Sequence, residues 1–117
     1  MFDRVLTVDW SGRSKPSPVA PCADAIFTCY GDQFTLSHPI YHRTRQSAMD
    51  YIHTVVETVK DQKGTTLIGF DFSFGYPRGF AERLTGSSDV RSLWRCLADR
   101  IQDDAQNANN RFPVAAD

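Results

Sequence analysis

The sequence predicts an α/β fold built on a mixed sheet, and three observations carry that expectation. An apolar, β-rich run near the N-terminus ends on an aspartate. A hairpin pattern and a long amphipathic helix follow. A second apolar run then ends on another aspartate. A strand–helix–strand crossover favours parallel pairing of the strands that it joins, whereas a hairpin pairs its strands antiparallel. The expected order is strand, two-stranded hairpin, helix, strand, helix.

Arg4 to Trp10 is rich in β-formers and reads as the first strand. "SGRSKPSPVAPC", Ser11 to Cys22, holds three prolines, three serines and a glycine, which marks a long loop. Ile26, Thr28 and Tyr30 alternate with Phe27 and Cys29 in the outgoing hairpin strand. "YGDQ" is the turn, Phe34 to Leu36 begins the return strand, and Pro39 suits a strand end or sheet edge.

Thr44 is the expected N-cap of the first helix. Ala48, Tyr51, Ile52, Val55, Val56 and Val59 form its apolar stripe, and Asp50 and Glu57 fall on the opposite, wet face. Lys60 and Lys63 suit its C-terminal end, where Gly64 is expected to stop it. Leu67 to Phe70 is a continuous apolar run, the pattern of a strand covered on both faces. "GYPRGFAERLTG" is a second loop with a short helical turn. Ser87 or Ser88 then caps a helix whose stripe is Val90, Leu93, Trp94, Leu97 and Ile101, with Trp94 in the core. "RFPVAAD" begins one more element.

At 117 residues the chain has the length of a single domain, expected to span 1–117. A net charge of −1 gives no strong electrostatic footprint for nucleic acid. No apolar run approaches the roughly 20 residues of a membrane span, and "MFDRVLTVDW" lacks a signal-peptide pattern. Three cysteines, Cys22, Cys29 and Cys96, show no zinc-site spacing. They read as reduced thiols of a cytoplasmic protein.

The chemistry is expected at the two aspartates. "VLTVDWSG" and "LIGFDFSFGYP" share one order: apolar run, Asp, aromatic, Ser, Gly. If their strands are parallel neighbours, Asp9 and Asp71 emerge at the same sheet edge, where open α/β sheets bind ligands. Two adjacent carboxylates repel, and a divalent cation removes the conflict. Mg²⁺ is typically held by one or two carboxylates, water and substrate phosphate. Asp9 and Asp71 are therefore the candidate ligands of Mg²⁺ or Mn²⁺. Ser11 and Ser73 are placed to donate to phosphate oxygens or to the opposite carboxylate, and Gly12 and Gly75 to let backbone N–H groups approach an anion. Arg13, Lys15 and Arg78 are the candidate phosphate cations. His38, His42 and His53 show no ligand spacing, and Trp10 and Phe72 are expected to turn away from the aspartates into packing.

"VDWSG" together with "IGFDFSFGYP" resembles the two motifs of a bacterial domain family of unknown function, whose members are predicted nucleases of ribonuclease H-like fold. The family's second motif has the form DxPxGxP; "DFSFGYP" fills that place, with Ser73 where a proline is often found. The resemblance runs from Arg4 to about Ile101. It implies a metal-dependent phosphodiester hydrolase in which Asp9 and Asp71 are catalytic metal ligands, acting on nucleic acid or another phosphoester. That fold normally adds a fifth strand and a last helix bearing a further acid. The chain stops before them, so either it is the N-terminal part of a longer parent domain or its site is completed otherwise, and the uncovered sheet edge predicts a homodimer or a longer parent chain. Two other functions fit the same element order: a nucleotide-binding domain of actin-like ATPase type, and a non-catalytic binding module. "DWSGRSKPSP" lacks the tight Gly/Thr-rich phosphate hairpin of the former.

Overall fold

The computed structural model describes residues 1–72 and 75–116. Its elements are β1 (Arg4–Asp9), β2 (Ile26–Asp32), β3 (Ile40–His42), α1 (Arg45–Asp61), β4 (Thr66–Phe70), α2 (Phe80–Thr85), α3 (Val90–Arg100) and α4 (Arg111–Ala116). The chain divides into two compact units, one of Met1–Asp71 with Ala105–Asn107, the other of Phe72–Asp104 with Ala108–Asp117.

The first unit is a four-stranded sheet with α1 packed on one face. The strand order is β3-β2-β1-β4. β1 and β2 are antiparallel, as are β2 and β3, while β1 and β4 are parallel with Val8 opposite Phe70. The sheet is thus mixed, as the hairpin and the crossover predict. Leu6, Val8 and Ile26 meet Ala48, Ile52, Val55 and Val59 of α1 in the core. The period of two along β1 sends Leu6 and Val8 to this core and leaves Val5, Thr7 and Asp9 on the other face, which is exposed.

α1 begins as its sequence predicts. Thr44 accepts from the Ser47 N–H at 3.1 Å, and Ser47 Oγ accepts from the Thr44 N–H at 3.4 Å, a reciprocal capping box. Its C-terminus differs from the expectation. The left-handed residue is Lys63 (φ 55), not Gly64. Lys63 N–H donates to Lys60 C=O at 2.9 Å and Gly64 N–H to Val59 C=O at 3.0 Å, a Schellman pair. Gly64 is needed for closeness instead: a Cβ there would stand 3.1 Å from Val59 Cγ1.

Three further expectations are corrected. The return strand does not begin at Phe34: Gly31 and Leu36 form an isolated bridge, and β3 starts at Ile40. The intervening turn is made by Asp32, whose Oδ1 accepts from the Phe34 and Thr35 N–H groups, both at 2.8 Å. Leu67–Phe70 is not covered on both faces; burial alternates along β4 and Leu67 is 46% exposed. Val56 lies at the wet margin of the α1 stripe.

In the second unit, α2 runs between Gly79 (φ 83) and Gly86 (φ 73), both left-handed. α3 is capped by Asp89, not by Ser87 or Ser88: its carboxylate accepts from the Arg91 N–H at 3.0 Å. Only Leu93 of the expected α3 stripe is buried; Val90 is 44% exposed, and Ile101 lies beyond the last turn. Trp94 is half-buried, not core, with its ring edge-on to Tyr76 at 5.7 Å. Tyr76 in turn stacks on Phe80 at 5.1 Å. "RFPVAA" forms α4. Among the described residues, no helix is long and apolar enough to cross a membrane.

Candidate metal centre

Asp9 is the last residue of β1, and Asp71 directly follows β4. The parallel register ends with Val8 opposite Phe70, so the next residue of each strand stands beside its counterpart. The Asp71 N–H extends the ladder by donating to Val8 C=O at 3.3 Å. The Trp10 N–H donates to Asp71 Oδ1 at 2.8 Å. Asp71 is therefore oriented by the main chain of β1, and both carboxylates are exposed.

The Asp9 carboxyl is pushed above the usual carboxylate range. Some loss of hydration at the strand end is the largest cause, followed by a hydrogen bond with the Asp71 carboxyl and repulsion from its charge. The two carboxyls are thus close enough to share a hydrogen bond. A divalent cation shared between them would replace that repulsion with attraction, and two carboxylates plus water is an ordinary donor set for Mg²⁺. Among the described residues no group of three or more His, Cys, Asp or Glu side chains is placed to hold a metal.

The loop after β1 is ordered around a different acid. Ser11 Oγ donates to Asp24 C=O at 2.7 Å and accepts from the Arg13 N–H at 3.3 Å. The Arg13 guanidinium pairs with the Asp24 carboxylate. A hydrogen bond from Cys22, and then the Arg13 contact, holds Asp24 below its ordinary pKa. Gly12 and Lys15 are exposed. Of the residues expected at the phosphate, Ser11 and Arg13 are thus engaged with Asp24. Ser73 lies outside the described residues. Gly75 and Arg78 belong to the second unit, where both are exposed.

Several structural residues escape a sequence reading. Arg45, the first residue of α1, is 7% exposed. Its guanidinium donates to Arg13 C=O at 2.6 Å and to Asn107 C=O at 2.7 Å, and its own N–H donates to Asn107 Oδ1 at 2.8 Å. Asn107 is buried and left-handed (φ 68), and its amide donates to Lys15 C=O at 3.3 Å. Arg43 Nε donates to Ser17 C=O at 2.8 Å, and Tyr41 Oη to Pro18 C=O at 2.7 Å. The long loop is therefore tied down along its length. The only cue was its length itself, since loops of this size in compact domains tend to be functional.

His42 is the second surprise. It is buried, its Nε2 is 2.8 Å from Thr28 Oγ1, and burial lowers its pKa. His38 and His53 are exposed. Trp10 packs edge-on against Phe70 at 6.2 Å, as expected of a ring turned away from the aspartates. Phe72 is exposed instead.

No protein-family model matches the chain, and neither a curated protein nor a solved structure matches it.

Proposed function

We propose that the chain is a metal-dependent phosphodiester hydrolase of ribonuclease H-like type, with Asp9 and Asp71 as its metal ligands. One observation supports this reading above the others: the two carboxylates stand side by side at the C-terminal ends of parallel neighbouring strands. That is the edge at which open α/β sheets bind ligands. The order β3-β2-β1-β4, with β4 parallel to β1, is compatible with it.

Mg²⁺ or Mn²⁺ bound there would supply Lewis-acid stabilisation of phosphoryl charge and a more acidic water. The chain's own residues then have distinct tasks. Asp71 is held by the Trp10 N–H through Oδ1, which fixes the orientation of its carboxylate. Asp9 faces it from the end of β1 and completes the pair. Substrates of this class are nucleic acids and small phosphoesters. The outer edge of β4 has no strand partner among the described residues and is where a second copy would pair.

The test is hydrolysis of an activated aryl phosphodiester with Mn²⁺ by the wild type, Asp9→Asn and Asp71→Asn. Turnover that needs Mn²⁺ and both aspartates is the expected result. Metal binding without turnover would instead leave a non-catalytic metal-binding module.

A further inference from the structure

The exposed face of the first unit's sheet carries a feature that holding a metal does not require. Asp9 is paired with Phe27 across β1 and β2, and Thr7 with Gly69 across β1 and β4. Paired residues share a face. A depression of about 420 Å³ lies there, bounded by Asp9 and Asp71 and by Phe27, Cys29, Pro39 and Gly69. Pockets of this size accept small organic ligands.

Its chemistry narrows the occupant. No lysine or arginine lines it, and two carboxylates stand at its border. A bare anion is therefore disfavoured, and a phosphate enters only with a cation. The rest is mostly apolar, with Thr7 on the strand between Phe27 and Gly69. The Phe27 ring is braced by Tyr41 at 5.4 Å. Gly69 leaves a gap in β4: a Cβ built there meets nothing within 4 Å. Glycine inside a strand weakens it and often marks close approach by a ligand.

Resting on the metal-centre reading, we infer that this depression is a nucleobase subsite, so that the substrate class is a nucleoside phosphate or a nucleotide end. The base lies on the apolar floor around Gly69 and Phe27, and the phosphate reaches the aspartate pair with its metal.

The experiment measures binding of adenosine monophosphate and of glycerol phosphate to the full chain with Mn²⁺ present. The mononucleotide is expected to bind roughly tenfold more tightly, the scale of base–aromatic stacking. Gly69→Val puts a side chain into the gap, where its Cβ meets nothing within 4 Å, and suits a strand. It should remove that preference while leaving Mn²⁺ affinity and glycerol phosphate affinity unchanged, and Phe27→Ala should do the same. Equal binding of the two probes, or a Gly69→Val chain that keeps the preference, overturns the subsite and leaves the metal centre standing. Absence of Mn²⁺ binding in the wild type overturns both. Self-association that Gly69→Val abolishes and the nucleotide does not compete with assigns the face to a second copy and overturns the subsite.

Discussion

The Trp10 N–H, just past the end of β1, donates to Asp71 Oδ1 at 2.8 Å, and two residues earlier the Val8 carbonyl accepts from the Asp71 N–H at 3.3 Å. Two parallel strands thereby finish in a reciprocal lock that sets the second carboxylate beside the first. An asparagine oxygen can still accept from Trp10. Asp71→Asn is therefore expected to keep stability within about 1 kcal/mol of wild type in EDTA. Asp71→Ala loses the acceptor and is expected to cost about 1–2 kcal/mol. Urea denaturation of the three chains measures both.

Arg45 anchors the loop that follows β1, through carbonyls of Arg13 and Asn107. Arg45→Met leaves those acceptors buried without their cation. The expected loss is about 2–4 kcal/mol, since hydrogen bonds to charged groups are the stronger ones. The same denaturation curves read it, and a loss below 0.5 kcal/mol, the scale of a surface change, would mean that the loop holds itself.

The site and the frame were legible in the sequence to different degrees, for physical reasons. β1, α1 and the Thr44 cap follow from local rules: a period of two, a period near 3.6, and a hydroxyl that can reach an N–H three residues on. The aspartate pair was legible because the sequence repeats its context and the crossover makes the strands parallel. The burial of Arg45 was not. Its acceptors include main-chain carbonyls of residues far away in sequence, which no side-chain pattern announces. His42 was hidden for a similar reason, because only the β2–β3 register places it opposite Ile26 on the core face. The run Leu67–Phe70 misled because apolar residues on an exposed face look the same as buried ones when read singly.

Lys63 pays a conformational cost at the end of α1, in a position where glycine is at ease. Lys63→Gly relieves it, offset by the greater freedom of glycine in the unfolded chain. The net expectation is a gain of up to about 1 kcal/mol, seen as a higher urea midpoint. Gly64→Ala should go the other way, because its Cβ would crowd Val59.

His42 gives stability a pH dependence of defined sign. Burial holds its folded pKa below the free value of 6.5, so the unfolded chain binds the proton first. Stability is complete above pH 6.5 and declines as the pH falls from there toward the folded pKa. Asp9, whose folded pKa is raised, contributes with the opposite sign at lower pH. The clean comparison is therefore Asp9→Asn against Asp9→Asn with His42→Gln. The first should lose stability between pH 6.5 and 5, and the second should be flat over that range.

Asp9 and Asp71 are proposed to share one divalent cation. Calorimetric titration of Mn²⁺ into the wild type, Asp9→Asn and Asp71→Asn tests it most directly. One site is expected in the wild type, with affinity lowered at least about tenfold in either variant, a loss of about 1.4 kcal/mol or more. Wild-type binding that survives both substitutions, or no binding by the wild type at all, would contradict it.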